Sequence, residues 1–472
     1  MSETTGTRRP RPGFLRAVIR RFGTWPLFGV ILVWVVLALV VFTVLGWLWG
    51  EGPLWSWQRW LTNWRGAGVG AGSLDLVKVS LTTIGGIGGT GYLVIKYRER
   101  ASAERAERDA EQNRAEQRLL SGVQQLGSGS PQVRIAGVYS LADVADTYRG
   151  EYRQRVVSIL CGYLRTQRGE RRTIVNEQDG PEQSSEEKVY VSHDGAVEST
   201  VLEVLVRHLR KRREKTKHRE AVTQLVEDDQ LWCDCTIDLH DAVLTEIADF
   251  RDTTFNVADF RDATFNRYAG FGGATFTNDA DFQGATFTNV ANFGGATFNR
   301  AADFERATFT NAARFGGATF TNAAHFGDAT FTNDADFQGA TFTNAADFWG
   351  ATFNHAAHFE RATFSFAIFL DATFTNAADF RGATFNHAAD FERATFTNAN
   401  FERATFNRAN FRDATFSRSA PPRGLPPGRV DKDGLPRGAR WAEDDDEGLE
   451  AGSPDDAPAE GTGPGSADSA AS

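Results

Sequence analysis

Two hydrophobic rhythms divide the chain. The first is continuous. Trp25 to Trp49 reads WPLFGVILVWVVLALVVFTVLGWLW without a single charge. Such a run can cross ~30 Å of hydrocarbon, and Trp25, Trp47 and Trp49 sit near its ends, where aromatic belts form. It is too long for a signal peptide, and no small-residue cleavage site follows it. A weaker run, Leu74–Tyr97 (LDLVKVSLTTIGGIGGTGYLVIKY), predicts a second span with Lys78 snorkelling near its start. These runs predict a basic tail (1–25), a first membrane helix (26–49), an external loop (50–73) and a second membrane helix (74–97). Residues 98–120 are rich in Ala, Glu, Arg and Gln and predict a solvated helical stalk. Residues 121–232 predict an α-helical region. In it, Ile135, Val138, Tyr139, Leu141, Ala142 and Ala145 share one helical face, and Val156, Val157, Ile159, Leu160 and Leu164 share another. A polar stretch, 170–195, predicts a loop, and Val201, Leu202, Val204, Leu205 and Leu209 predict a further helix over 196–213.

The second rhythm is carried by phenylalanine. Of 37 in the chain, 33 fall between Phe250 and Phe416, and all of those except Phe366 lie on one ladder. It begins with Leu239 and Leu244, continues through Phe250, Phe255, Phe260, Phe265, Phe271, Phe276, Phe282 and Phe287, passes Phe337 and Phe342, and ends at Phe401, Phe406, Phe411 and Phe416. Steps are five residues at both ends and alternate five and six between Phe265 and Phe359, which makes an eleven-residue unit. A helix cannot use this pattern, because five-residue steps carry the rings around all its sides. A flat strand of period two cannot produce fives either. What remains is a solenoid over 233–418, each segment one side of a coil, with Phe inward and the small Ala two residues before it lining the corner. The extra residues of the longer steps, such as Asp279, Val290, Ala301 and Ala312, belong at corners. Thr286/Thr288, Thr330/Thr332 and Thr341/Thr343 are expected to point outward in columns. ATFTNDADFQGATFTN occurs twice, at 274–289 and 329–344. That offset is five eleven-residue units, or two and a half coils, so the copies should face opposite ways.

Strings such as ADFRDTTFNVADFRDATF (248–265) resemble the pentapeptide-repeat family. The resemblance implies a right-handed quadrilateral β-helix with four segments per coil. The N-terminal arrangement resembles membrane-anchored pentapeptide-repeat proteins of high-GC bacteria. The expected fold class is therefore mainly β, a pentapeptide-repeat solenoid preceded by a transmembrane hairpin and a small helical region.

Charge is uneven. Lys+Arg against Asp+Glu is 33 to 27 over residues 1–236, 13 to 22 over 237–418 and 5 to 12 over 419–472, giving +6, −9 and −7 and the overall −10. An acidic array argues against nonspecific nucleic-acid binding, which needs clustered cations. Pro, Gly, Asp and Ala dominate 419–472 and predict a disordered acidic tail. Arg8, Arg9, Arg11, Arg16, Arg20 and Arg21 precede the first run; Lys96, Arg98, Arg100, Arg105 and Arg108 follow the second. Positive-inside logic then places both termini in the cytoplasm of a bacterium, with a multi-pass anchor in its inner membrane.

Candidate chemistry is sparse. GIGGTG (Gly86, Gly88, Gly91) matches a dinucleotide-binding spacing, but no βαβ pattern surrounds it. Gly85 and Gly89 read instead as a small-xxx-small packing face. Cys161, Cys233 and Cys235 make no disulfide framework, and Cys233-Asp-Cys235 lacks a second ligand pair. His355 and His358 suggest at most a two-ligand site, and pairs such as Asp279/Asp281 read as solvated corners. The basic run 207–219 suits a solvated or membrane-proximal face. The expectation is no catalysis, no cofactor and no metal. The partners expected are the membrane and an unidentified cytoplasmic protein, with self-association compatible. Two alternatives stay open. The family resemblance includes acidic rods that mimic DNA toward DNA gyrase, and Thr columns on a flat solenoid are a sign of water- or ice-binding surfaces.

Overall fold

The computed structural model describes residues 71–175, 186–215, 221–425 and 430–442, with isolated positions Val33, Val36, Leu39, Val40 and Val44. The basic tail 1–25 and the loop 50–73 lie outside the described residues, as does the first predicted span, 26–49, apart from those positions. The chain divides into two compact units, Met1–Arg114 and Ala115–Ser472.

Helix α1 (Ala71–Leu126) contains the second predicted span and the stalk without a break. Among the described residues no helix is long and apolar enough to cross a membrane. The described residues thus lend no support to the second member of the transmembrane hairpin. Thr82, Thr83 and the glycines from Gly85 to Gly91 dilute its apolar content, and Asp75, Lys78 and Lys96 bracket it. A Cβ added at Gly85 or Gly89 would meet nothing within 4 Å, so these glycines make no close packing face among the described residues. Gly86, Gly88 and Gly91 lie inside α1, so the dinucleotide spacing has no strand-to-helix turn to act from.

In the second unit, the last turns of α1 pack with α2 (Pro131–Tyr148), α3 (Glu151–Arg165) and α4 (Gly195–Leu209). The expected apolar faces are the ones buried, except that Tyr139 is exposed: Val138, Leu141, Val156, Val157, Leu160, Leu164, Val201 and Leu205 form one continuous core with Trp232, Ile237 and Leu239. The helices therefore cap the first coil of the array and cover an edge that would otherwise expose unpaired backbone. The segment expected to be a loop, 170–195, differs. It holds an antiparallel hairpin of β1 (Gly169–Val175) and β2 (Glu186–Ser192). Thr173, Ile174, Val175, Val189 and Val191 are good strand residues, and their preference prevails over the surrounding charge. Gly169 permits the pairing, since a Cβ there would lie 2.1 Å from the Val191 carbonyl oxygen.

From Thr236 the chain winds as a right-handed β-solenoid of about 9 turns. Pairing is parallel and in register every coil: Thr275 with Thr297, Phe276 with Phe298, Ala280 with Ala302. Two faces are made of Ala-Asp strands such as Ala280–Asp281 and Ala291–Asn292, and they alternate with two made of Thr-Phe strands.

The two kinds of corner have different chemistry. After an Ala-Asp strand the chain makes a turn in which the Ala274 N–H donates to the Phe271 carbonyl, 3.0 Å. The residue before that Ala adopts positive φ, as at Gly273 (+67°), Gly284 (+67°), Asp262 (+55°) and Arg306 (+56°). That is the geometry of a type II turn, which favours Gly at this position. After a Thr-Phe strand comes the wider corner holding the extra residue. There an Asn side chain closes the bend, as where Asn311 Oδ1 accepts the Ala312 N–H at 2.8 Å.

Solenoid pairing extends beyond Phe416, so the expectation of a disordered tail from 419 is corrected for its described part. The strand Arg440–Trp441 pairs with Thr415–Phe416, and Trp441 stands beside Phe416. The Arg423 backbone bonds Ala399 O and Phe401 N, at 3.0 and 2.8 Å, and Leu435 is 2% exposed. Ala439-Arg440-Trp441 repeats the Ala-x-Phe spacing with Trp in place of Phe, a signal that composition alone concealed.

Candidate interaction surfaces of the array

The predicted ladder residues are brought together as one column of core. Leu239, Leu244, Phe250, Phe255, Phe260, Phe265, Phe271, Phe276, Phe282, Phe287, Phe337, Phe342, Phe401 and Phe416 are buried; Phe411 is 6% exposed and Phe406 half-buried near the far end. Rings one coil apart stack in parallel, as with Phe276 and Phe298 (4.7 Å, 3°), and rings on opposite faces meet edge to face, as with Phe293 and Phe304 (5.2 Å, 85°). Both arrangements suit the ring quadrupole. The interior is therefore full, and any function of the array is carried by its outside.

On the Ala-Asp faces, where the outward residue before the Phe is Asp or Asn, its side chain serves the turn. Asp281 Oδ1 accepts the Gln283 N–H (3.0 Å), Asp303 the Glu305 N–H (2.9 Å) and Asn292 the Gly294 N–H (2.9 Å). Asp and Asn recur there because their side chains close a bend two residues on. The consequence is a column of stacked carboxylates, Asp238, Asp259, Asp281 and Asp303. Arg261 relieves it by pairing with Asp259 (2.5 Å) and reaching Asp281 (3.6 Å). Burial, reinforced by the Asp303 and Asp259 carboxylates, pushes Asp281 above the usual carboxylate range. Asp279 lies at a wide corner, as expected.

The Thr columns form, with Thr286, Thr308 and Thr330 in one and Thr297, Thr319 and Thr341 in the opposite one. Several of the second Thr residues are engaged by the preceding coil. Thr288 and Thr310 donate their hydroxyls to Phe265 O and Phe287 O, at 3.1 and 3.0 Å, and Thr343 donates to Phe320 O. These hydroxyls are tied to backbone, which weakens the case for an ordered-water array.

Titratable clusters resolve into ion pairs. Asp238, His240 and Asp259 hold ligand atoms within 4.8 Å of one another, a grouping that spacing in the sequence did not reveal. Arg165 already occupies it, with Nη1 2.9 Å from Asp238 and Nη2 against His240 Nε2. Arg165 on Asp238 and His240 makes an electrostatic clasp between α3 and the first coil, while Asp259 is held by Arg261. His355 turns to Asp334, and His358 to Glu360 at 3.7 Å. His325 and His358 sit on different sheets. Burial pushes the Cys161 and Cys235 thiols up to about 12 and Cys233 to about 11, so all three stay protonated near neutrality and are poor nucleophiles or ligands. In the basic run, Arg213 bonds Asp252 (2.7 Å) and Gly273 O, and Arg210 bonds Arg251 O, so both arginines grip the array. Residues 216–220 of that run lie outside the described residues.

A family model described as pentapeptide repeats (9 copies) matches residues 271–319, 315–363 and 380–420. The array belongs to the pentapeptide-repeat family. No curated protein and no solved structure matches the chain. The matched segments fall on the solenoid, and its coils continue before them, back to Ile237, and between them, with the same inward ladder.

Proposed function

We propose that the protein is a non-catalytic scaffold in which the pentapeptide-repeat rod presents a rigid binding surface to a protein partner. The observation that carries this reading is the coil-by-coil register. Outward side chains stand in straight columns on a filled core capped at its N-terminal end by helices and at its C-terminal end by Arg440–Trp441. Such a surface is preorganised, so a partner meets little ordering cost on the rod side. The test is crosslinking in membranes followed by pull-down with the array as bait. Crosslinks that require residues 237–418 are expected, and their absence removes the reading.

The site of action we propose is the cytoplasmic face of a bacterial inner membrane. The uncharged run Trp25–Trp49 and the Arg-rich flanks support it. A reporter active only in the periplasm, fused after Ser417, is expected to be silent; activity there overturns the placement.

The acidic column from Asp238 to Asp303 keeps DNA mimicry as a second reading. It predicts that the purified protein alters gyrase supercoiling or its inhibition. Against it, these carboxylates are engaged in turn hydrogen bonds, and Asp238 and Asp259 also pair with arginines.

A further inference from the structure

Along the Ala-Asp faces the outward residues on either side of each Phe are polar or glycine at every coil, with three exceptions: Trp349, Ile368 and Leu370. The solenoid brings these three together. Ile368 and Leu370 flank the inward Phe369 on one coil, and Trp349 lies on the coil before, where the Gly350 N–H donates to Leu370 O at 2.9 Å and the Phe348 N–H to Ile368 O at 2.7 Å. Phe366, the one phenylalanine off the ladder, belongs to the same patch. It precedes Ile368 by two residues on the strand Thr363–Ile368, so both project to the outside while Ala367 is buried. Phe366 is 44% and Trp349 46% exposed, and Phe366 stacks on His387 at 4.6 Å.

Stability does not explain the patch. Asp347 and Asp390, the neighbours of Ile368 in the column, each accept an N–H two residues on, at 3.0 Å. Isoleucine forgoes that bond and also meets water. Exposed aromatic side chains clustered with half-buried aliphatic ones, here Ile368 and Leu370, on an otherwise polar surface mark an interaction site. Its rim is net acidic. Asp347 and Asp390 border it, Glu392 pairs with Arg393 at 3.3 Å and with Arg412, and Asp371 is held by Arg393 at 2.6 Å.

We propose that this patch docks an extended, basic segment of a partner protein that alternates cationic and apolar side chains. The proposal rests on the scaffold reading and narrows it to one surface and one partner chemistry. Phe366, Ile368 and Leu370 recur every second residue, which matches the side-chain period of an extended peptide, and the carboxylate rim complements its cations.

The test measures binding of the full chain to an alternating lysine–leucine peptide, with an alternating glutamate–leucine peptide as control. The variant Trp349→Gln/Ile368→Asp installs residues that equivalent coils already carry, and Ile368→Asp restores the turn hydrogen bond, so folding and melting temperature should be kept. The expected result is binding of the lysine–leucine peptide alone, weakened about tenfold or more in the variant. Equal binding by parent and variant, equal binding of both peptides, or no binding by the parent overturns the proposal. A variant that loses only self-association overturns it in favour of a contact between copies. These outcomes leave the scaffold reading standing, because that reading falls only if array-dependent crosslinks are absent.

Discussion

Arg168 and Glu198 form an ion pair, Nη1 to Oε2 at 2.5 Å, with side chains 4% and 0% exposed. The pair joins the helical region to the solenoid. Arg168 also donates to Leu164 O and Val243 O, at 2.9 and 2.8 Å, and Glu198 accepts from the Thr245 and Glu246 backbone N–H groups, at 2.6 and 3.0 Å. Removing one member strands a buried charge. Glu198→Ala is expected to destabilise the cap by about 3–5 kcal/mol. Hydrogen exchange should then rise in α4 and in the first coil while the middle of the array stays protected.

The phenylalanine stack should respond locally. Phe315→Ala removes a fully buried ring and is expected to cost about 3–5 kcal/mol. Phe406→Ala, at a half-buried position, should cost clearly less. Because each coil touches mainly its neighbours, exchange protection should fall around the substituted coil first. Equal losses in denaturant unfolding would contradict this ordering.

The left-handed corner positions make a separate prediction. Gly339 has φ of +64°, and an added Cβ would meet nothing within 4 Å. Gly339→Ala therefore isolates the backbone effect, with an expected loss of about 1 kcal/mol. Chemical denaturation of the two proteins side by side reads it directly.

Asp281 predicts a pH effect whose sign follows from its raised pKa. The folded state disfavours its ionised form, so stability is lost as pH rises from the ordinary carboxylate value through the raised folded one and then levels off. Below that range the cost vanishes. Asp281→Asn keeps the turn acceptor without the charge. It should raise the melting temperature at neutral pH, by less than about 1 kcal/mol after solvent screening, and the advantage should disappear as pH falls through the carboxylate range.

Truncation after Ser417 removes the strand Arg440–Trp441 and bares the edge of Thr415–Phe416. An exposed flat edge pairs with other chains. The truncated protein is expected to scatter light at concentrations where the full chain stays clear; an unchanged signal would show that the last coil protects itself.

Much of this architecture was legible because the solenoid repeats one local rule. Phenylalanine every five or six residues with alanine two before it admits a single arrangement, and the duplicated sixteen-residue string does lie on opposite faces: Thr275–Phe276 sits in one sheet and Thr330–Phe331 in the other. The inward ladder, the wide corners and the helical faces of 131–169 and 196–213 follow from periodicity alone, since each depends only on residues close in sequence. What tertiary structure decided depends on partners remote in sequence. The hairpin of 169–192 forms through cross-strand pairing that charge content obscured, and Trp441 closes the array because Phe416 offers it a coil to stack on. Arg165 claims the Asp238–His240–Asp259 group from 73 residues away in the case of Asp238. Trp349 and Ile368 become neighbours only because the intervening chain makes one full coil, which turns two scattered departures from a polar pattern into one surface.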